Sequence, residues 1–363
     1  MNPRIVQTYG YGVDSQFQNV YPNTVRFTPM AAISIPAKFT AFRIHRDDAG
    51  HRAGLETVAL ELLTPGEVIV RALWSSVNYK DALAGTGRGR ILHRFPLTGG
   101  IDVAGHVVAS ADPAFNEGDA VISTGCGLSE TLDGGYSQYV RLKSHALLPL
   151  PAGLSLREAM VIGTAGFTAA LALLRLTENH QTPALGPLVV TGATGGVGML
   201  ALDIFSGAGF EVYAVSGKIQ HTAFLHQIGA TQVLPREVLL TDKPLASAHY
   251  GGGLDNVGGP LLAGLVAQTV PHGNIATVGL AASPTLNMTV MPFILRGVSL
   301  LGIGASGTVR TIREQIWGRL AGMWRPRHLE QICTHEVGLD ELPQVFEKML
   351  AGASFGRTIV RIE

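Results

Sequence analysis

The residues best suited to hold a ligand fall between Leu188 and Lys218. Gly192, Gly195, Gly196 and Gly198 follow the apolar, β-branched run Leu188-Val189-Val190-Thr191 and precede an apolar helical pattern. Without side chains, such a turn lets backbone come close to a phosphate, and the free N–H groups and dipole of the next helix face its charge. A strand, a glycine turn and a helix make up the first unit of a dinucleotide fold. A second strand, Glu211 to Val215, follows at about twenty residues, where an NAD enzyme would place a carboxylate on the adenosine ribose. Here the strand runs into Ser216-Gly217-Lys218. A hydroxyl, a bare backbone and an ammonium suit a 2′-phosphate, so the sequence predicts NADPH over NADH.

The composition fits an enzyme of this kind. The chain has 363 residues, enough for two domains, with 46% hydrophobic and 15% charged residues. Lys+Arg and Asp+Glu balance at 27 each, so no overall charge draws nucleic acid or a membrane surface. The 2 cysteines, Cys126 and Cys333, make no disulfide framework, as expected in the cytoplasm. The apolar stretch around Leu185–Val215 is broken by glycines, Asp203 and Glu211 into pieces too short to span a bilayer. Residues 1–35 lack periodicity and any secretory pattern, and are expected to form an extended or disordered arm, with Met30 an alternative start.

Two kinds of element must position these residues. From Lys38 to about residue 153 the pattern is one of short strands broken by turns such as Thr64-Pro65-Gly66-Glu67 and Asn116-Glu117-Gly118-Asp119, which predicts an all-β, barrel-like domain. At Leu156 the texture becomes helical, with Ser155 and Glu158 as a capping box. Strands and helices then alternate, which predicts an α/β fold with a doubly wound parallel sheet. A helix over Glu341–Leu350 and a last strand over Gly356–Ile362 can return to the first domain and close it.

The chain also carries WSSVNYKDALAGTGRGRILHRFP (74–96), GIDVAGHVV (100–108), GGYSQYVRLK (134–143), MVIGTAGFTAALAL (160–173), VVTGATGGVG (189–198), AVSGK (214–218), GATQVLPR (229–236) and TVMPFILRGVSLLGI (289–303). In this order they resemble the zinc-independent quinone-oxidoreductase branch of the medium-chain dehydrogenase/reductase superfamily, and most closely its NADPH-dependent acryloyl-CoA reductases. The likeness runs over residues 38–363. It implies a GroES-like β-barrel domain at 36–153, completed by 325–363, and a Rossmann-type NADPH-binding domain at 154–324. It also implies a homodimer paired through the edge strand after Gly297.

The resemblance places cofactor contacts at Tyr79, Thr194, Gly195, Gly196, Val197, Ser216, Gly217, Lys218, Arg236, Leu280 and Ile294. Tyr79 is the candidate catalytic residue, either donating a hydrogen bond to the substrate or the nicotinamide ribose, or packing beside the ring. Arg88, Arg90 and Arg94 concentrate positive charge in one loop. Guanidiniums there could grip the phosphates of coenzyme A; a solvated basic loop would read the same way. Two cysteines exclude a four-cysteine structural zinc site, and His106, in an apolar strand, reads as a packed or surface residue rather than a zinc ligand beside Cys126. Without a Lewis acid, reduction of an already polarised C=C bond suits the site better than alcohol chemistry.

The chain departs from close relatives at Gly304-Ala305-Ser306, where they carry an Asp-Ser pair, at Cys126, where they carry a tryptophan, and at Gly99, where they carry a proline. Loss of the acidic residue and of the indole is expected to widen or reshape the pocket. The expected activity is NADPH-dependent reduction of a short 2-enoyl-CoA without a metal, acryloyl-CoA leading. A quinone or alkenal is the alternative acceptor, and a noncatalytic NADPH-binding sensor is the alternative of another class. The expected partners are a small-molecule substrate and a second copy of the chain, with neither nucleic acid nor membrane.

Overall fold

Strand propensity dominates the first part of the chain. The computed structural model describes residues 35–362; the arm expected at 1–35 falls, apart from Ile35, outside the described residues. Strands β1 (Phe39–Asp47), β2 (Gly50–Val58) and β3 (Val68–Ser76) lead to helix α1 (Tyr79–Thr86). Then come β4 (Leu97–Thr98), β5 (Asp102–Ser110), β6 (Ala120–Thr124), β7 (Tyr139–Leu142) and β8 (Leu148–Pro149). The second part runs α2 (Leu156–Glu178), β9 (Leu188–Thr191), α3 (Gly196–Gly207), β10 (Val212–Val215), α4 (Thr222–Gln227), β11 (Gln232–Leu234), β12 (Tyr250–Asp255), α5 (Gly259–Ala267) and β13 (Thr269–Thr277). It ends with α6 (Met291–Arg296), β14 (Ser299–Gly302), α7 (Arg310–Ala321), α8 (Leu329–Ile332), β15 (Cys333–Val337), α9 (Leu342–Leu350) and β16 (Arg357–Arg361).

The first strands form an antiparallel sheet β2-β1-β4 and a larger one in the order β15-β16-β3-β5-β6-β8, with β7 added beside β3. The two are sewn together by Phe42 N–H to the Tyr136 carbonyl at 2.8 Å and Gln138 N–H to the Thr40 carbonyl at 3.0 Å. Their shared core holds Phe42, Ile44, Leu97, Tyr136, Leu142 and Phe346. The last strand, β16, pairs antiparallel with β3, Ile359 opposite Ser76, and parallel with β15.

The other sheet is wholly parallel, in the order β11-β10-β9-β12-β13-β14. The strands on either side of β9 are reached by crossings in opposite directions, so a crevice opens at the carboxyl ends of β9 and β12. The strand Leu188–Thr191 is buried at every residue, as a parallel strand covered on both faces must be.

Helix α2 joins the two halves. Ser155 and Glu158 form the expected capping box at its start. It is long and apolar enough to cross a bilayer, but 89% of its apolar window is buried inside the protein, where it packs on β3, β5, β13, α3 and α7. It is broken at Gly163, whose φ of 48° and ψ of −158° are not helical. A Cβ at Gly163 would stand 2.7 Å from Asp102 Oδ2 and 2.8 Å from Ser76 Oγ, so only glycine fits where the helix crosses the barrel strands.

Candidate functional site

The glycine turn closes tightly. Gly192 adopts φ of 60°, Gly195 N–H donates to the Gly192 carbonyl at 3.0 Å, and a Cβ on Gly198 would meet the Gly192 oxygen at 2.5 Å. Helix α3 starts at Gly196, and its first N–H groups, which no helix satisfies internally, open on the crevice. A Cβ on Gly195 would meet only the Gly192 oxygen, at 3.4 Å. The same crevice continues into a cleft of about 510 Å³ between the parallel sheet and the barrel.

The cleft gathers residues from distant parts of the chain. Tyr79, Thr194, Gly195, Gly196, Val197, Lys218 and Arg236, named from the sequence as cofactor contacts, line it. Ser216 and Gly217 stand directly behind Lys218: the Ser216 hydroxyl accepts the Lys218 N–H at 3.0 Å, and the Arg236 guanidinium packs over Gly217, where a Cβ would fall 2.8 Å from its carbon. Gly217 is therefore bare because an arginine occupies its side-chain position. Lys218 Nζ donates to the Ser354 carbonyl, and burial, reinforced by Arg236, lowers its pKa below the usual lysine value.

Other expected contacts fall outside the cleft lining. Leu280 and Ile294 are 59% and 73% exposed, and their neighbours Ala281 and Ala282 line the cleft instead. Arg88, Arg90 and Arg94 are surface residues away from the lining. Arg88 is paired with Glu347 at 2.8 Å, while Arg90 and Arg94 make no side-chain contact among the described residues.

Beneath Tyr79 is a buried polar network that the sequence did not announce. Asp102, fully buried on β5, accepts from Ser76 Oγ at 2.5 Å, Asn78 Nδ2 at 2.9 Å, Thr164 N–H at 2.9 Å and Thr164 Oγ1 at 2.5 Å. The break at Gly163 gives the second part of α2 its own N-terminus, and Asp102 caps it. Arg357, at the start of β16, spends its donors on the carbonyls of Val161 and Val77, both at 2.9 Å, on that of Met160 at 3.3 Å and on Asn78 Oδ1 at 3.2 Å. Burial lowers its pKa and the nearby Asp102 opposes the shift.

Asp81 sets the start of α1. Its carboxylate accepts Asn78 N–H and Ile101 N–H, each at 2.9 Å, which fixes the turn that presents Tyr79 and Lys80. Burial, with Asp102 close by, raises the Asp81 pKa to about 7. Tyr79 is 43% exposed and its hydroxyl has no partner among the described residues. Lys80 Nζ pairs with Glu130 and lies 3.3 Å from Ser306 Oγ. Two signals could have exposed this cluster beforehand: an Asp at the head of the apolar strand 102–108 and an Arg at the head of the last one.

Among the described residues, no three His, Cys, Asp or Glu side chains gather in a way that could hold a metal ion. His106 faces the Gly118 carbonyl at 3.2 Å, and burial pushes the Cys126 thiol up. The glycine turn, the start of α3 and the Lys218–Arg236 pair together fit a phosphorylated dinucleotide.

A parallel dinucleotide-type sheet joined by such a cleft to an antiparallel barrel defines a two-domain nucleotide-dependent oxidoreductase. Residues 64–152 match the alcohol dehydrogenase GroES-like domain family, and residues 196–320 the zinc-binding dehydrogenase family. The chain is 38% identical over 328 residues to acrylyl-CoA reductase AcuI of Ruegeria pomeroyi, covering 89% of this chain and 99% of that one. The yhdH oxidoreductase of Salmonella enterica, solved with NADP, is 40% identical with a TM-score of 0.86, over 89% of this chain and 100% of that one. YhfP of Bacillus subtilis, which carries a quinone oxidoreductase name and was solved with NAD, is also 40% identical with a TM-score of 0.86, over 90% of this chain and 100% of that one. The chain belongs to the medium-chain dehydrogenase/reductase superfamily, in the zinc-independent branch that holds the quinone oxidoreductases and acryloyl-CoA reductases.

Proposed function

We infer that the protein uses NADPH to reduce the C=C bond of a short 2-enoyl-CoA, converting acryloyl-CoA to propionyl-CoA. The observation that carries this reading is the near full-length similarity to an acrylyl-CoA reductase. Two local features support it. Lys218 and Arg236 meet over Gly217, where a 2′-phosphate would be gripped by two cations. At the Tyr79 end, a phenol and an ammonium point into a half-open cleft of a size suited to a small substrate.

NADPH, when bound, supplies the hydride. The start of α3 receives its pyrophosphate, Lys218 and Arg236 its 2′-phosphate, and Tyr79 orients the nicotinamide ribose or the substrate. The Asp102 network holds the segment Ser76–Lys80 in place beneath the reacting atoms. Arg90 and Arg94, unpaired on the surface, take the phosphates of coenzyme A, with Arg88 held beside them by Glu347.

The barrel comprises 36–153 with 325–363, and the NADPH-binding domain 154–324. The protein is a cytoplasmic homodimer: Val290, Met291, Ile294 and Leu295 form an exposed apolar patch on and beside α6, next to the edge strand β14.

The test compares NADPH oxidation with acryloyl-CoA, crotonyl-CoA and a benzoquinone. Acryloyl-CoA is expected to give the highest kcat/KM. Turnover of the quinone or an alkenal alone would favour the second reading, which the name of the Bacillus relative supports. NADPH binding with turnover of nothing would favour a sensor.

A further inference from the structure

The geometry points to Lys80 as the catalytic residue that holds the substrate's carbonyl oxygen, in a socket built by Glu130 and Ser306; this rests on the enoyl-thioester reading above. An ammonium has three N–H donors. Glu130 takes one and the Ser306 hydroxyl stands 3.3 Å from the same nitrogen. No other described side chain claims the third, and Lys80 lines the cleft.

The socket is fixed from both halves of the molecule. Lys80 is the second residue of α1, whose start is capped by Asp81. Glu130 belongs to the loop 125–133, and Ser306 follows β14. Those two loops are docked on each other. Cys126 N–H donates to the Ser306 carbonyl at 3.2 Å, and Gly125, at φ of 68°, packs so close that a Cβ would stand 3.0 Å from Ser306 Cα.

Strand order gives the socket its place along the cleft. Lys218 follows β10, the glycine turn follows β9, and Ser306 follows β14, on the opposite side of that turn. Four strand spacings separate β10 from β14, about 19 Å at the usual interval. The cation pair for the 2′-phosphate and the Lys80 socket therefore mark opposite ends of one binding groove. The cleft's other cation, Arg357, has its donors committed to backbone carbonyls and Asn78.

The chemistry of conjugate reduction needs a cation at that end. As the β-carbon of the enoyl thioester gains hydride, the C=C π pair shifts to join the α-carbon to the carbonyl carbon and the C=O π pair moves onto the oxygen, giving an enolate. A proton from solvent then completes the α-carbon, the thioester is saturated and the dinucleotide oxidised. A tethered ammonium stabilises the oxygen more as charge develops than before, which lowers the barrier rather than tightening binding alone. Glu130 keeps the ammonium partnered until the oxygen arrives.

Lys80→Met is expected to lower kcat/KM for acryloyl-CoA by about 10²–10³-fold, the usual loss for one oxyanion donor. NADPH affinity, read by fluorescence titration, should stay within about twofold, and propionyl-CoA binding to the NADP-loaded enzyme, read by calorimetry, should weaken. Lys80→Arg should recover part of the rate. Glu130→Gln, which keeps the ammonium, should show a smaller loss and serves if Lys80→Met does not fold. Either Lys80→Met within threefold of wild type, or Glu130→Gln losing NADPH binding as much as rate, overturns the assignment alone. A wild-type enzyme that reduces no enoyl thioester overturns the functional reading and this inference with it.

Discussion

Lys218 is the residue on which cofactor choice is proposed to turn. Its ammonium is half-buried, faces Arg236 and is held by the Ser354 carbonyl. Replacing it with alanine removes a charge-assisted contact worth about 1.5–3 kcal/mol, so NADPH affinity should fall by roughly 10–150-fold while NADH affinity is unchanged. An NADPH-to-NADH ratio that survives Lys218→Ala would refute the assignment. Asp81 makes a prediction of another kind. Its folded pKa, about 7, exceeds the usual aspartate value, so the folded state keeps a proton that the unfolded chain has shed. Its contribution to stability is full below about pH 4 and is lost as pH rises toward about 7. Asp81→Asn should flatten the fall in urea midpoint between about pH 4.5 and 7.5; a variant as pH-sensitive as wild type would assign the slope to other groups. At this scale the sequence was legible where chemistry is local, as in the glycine turn and Ser216-Gly217-Lys218. It was silent where partners are remote: Asp102 and Thr164 meet across 62 residues, and Lys80 and Ser306 across 226.

The elements that present these residues are held by a small number of contacts. Helix α9 buries Leu342 and Phe346 and packs Val345, Met349 and Leu350 on the barrel core, a one-sided pattern at helical spacing. Phe346 meets Phe42 edge to face at 5.9 Å, and its ring lies where a Cβ on Gly85 of α1 would be, at 2.3 Å. Phe346→Ala should cost about 3–5 kcal/mol, and because α9 carries Met349 to the cleft, NADPH affinity should drop with it. Thermal melting and fluorescence titration of one sample read both; a melting temperature equal to wild type would refute the packing argument. The strand-helix alternation from 188 to 302 was legible because each strand is short, apolar and β-branched or glycine-rich. Helix α1 was not anticipated, since its eight residues, Tyr79 to Thr86 with a buried Asp81 and a single leucine, show no apolar stripe. Strand β2 was missed because it is mostly exposed, and α7 because its buried face includes Arg313, which donates to the Ala146 carbonyl at 2.8 Å.

At the scale of the whole molecule, the apolar patch on and beside α6 makes the proposed dimer testable. Ile294→Asp places a charge on a residue 73% exposed in the single chain, so folding should be unaffected while the mass in sedimentation falls from two copies to one. A dimer that persists would move the interface elsewhere. The parallel sheet is continuous in the chain from β9 to β14, whereas the barrel sheet needs β16, the last strand, between β3 and β15. That ordering sets a timetable for synthesis. The usual expectation is that a chain folds from its beginning as it leaves the ribosome. Here the half made first is finished last: the Trp74–Ser76 end of β3, beyond its pairing with β7, waits unpaired through the making of some 280 further residues, about the separation of Arg357 from Val77. A nascent chain stalled before β16 would hold a complete dinucleotide sheet beside a barrel still open between β3 and β15.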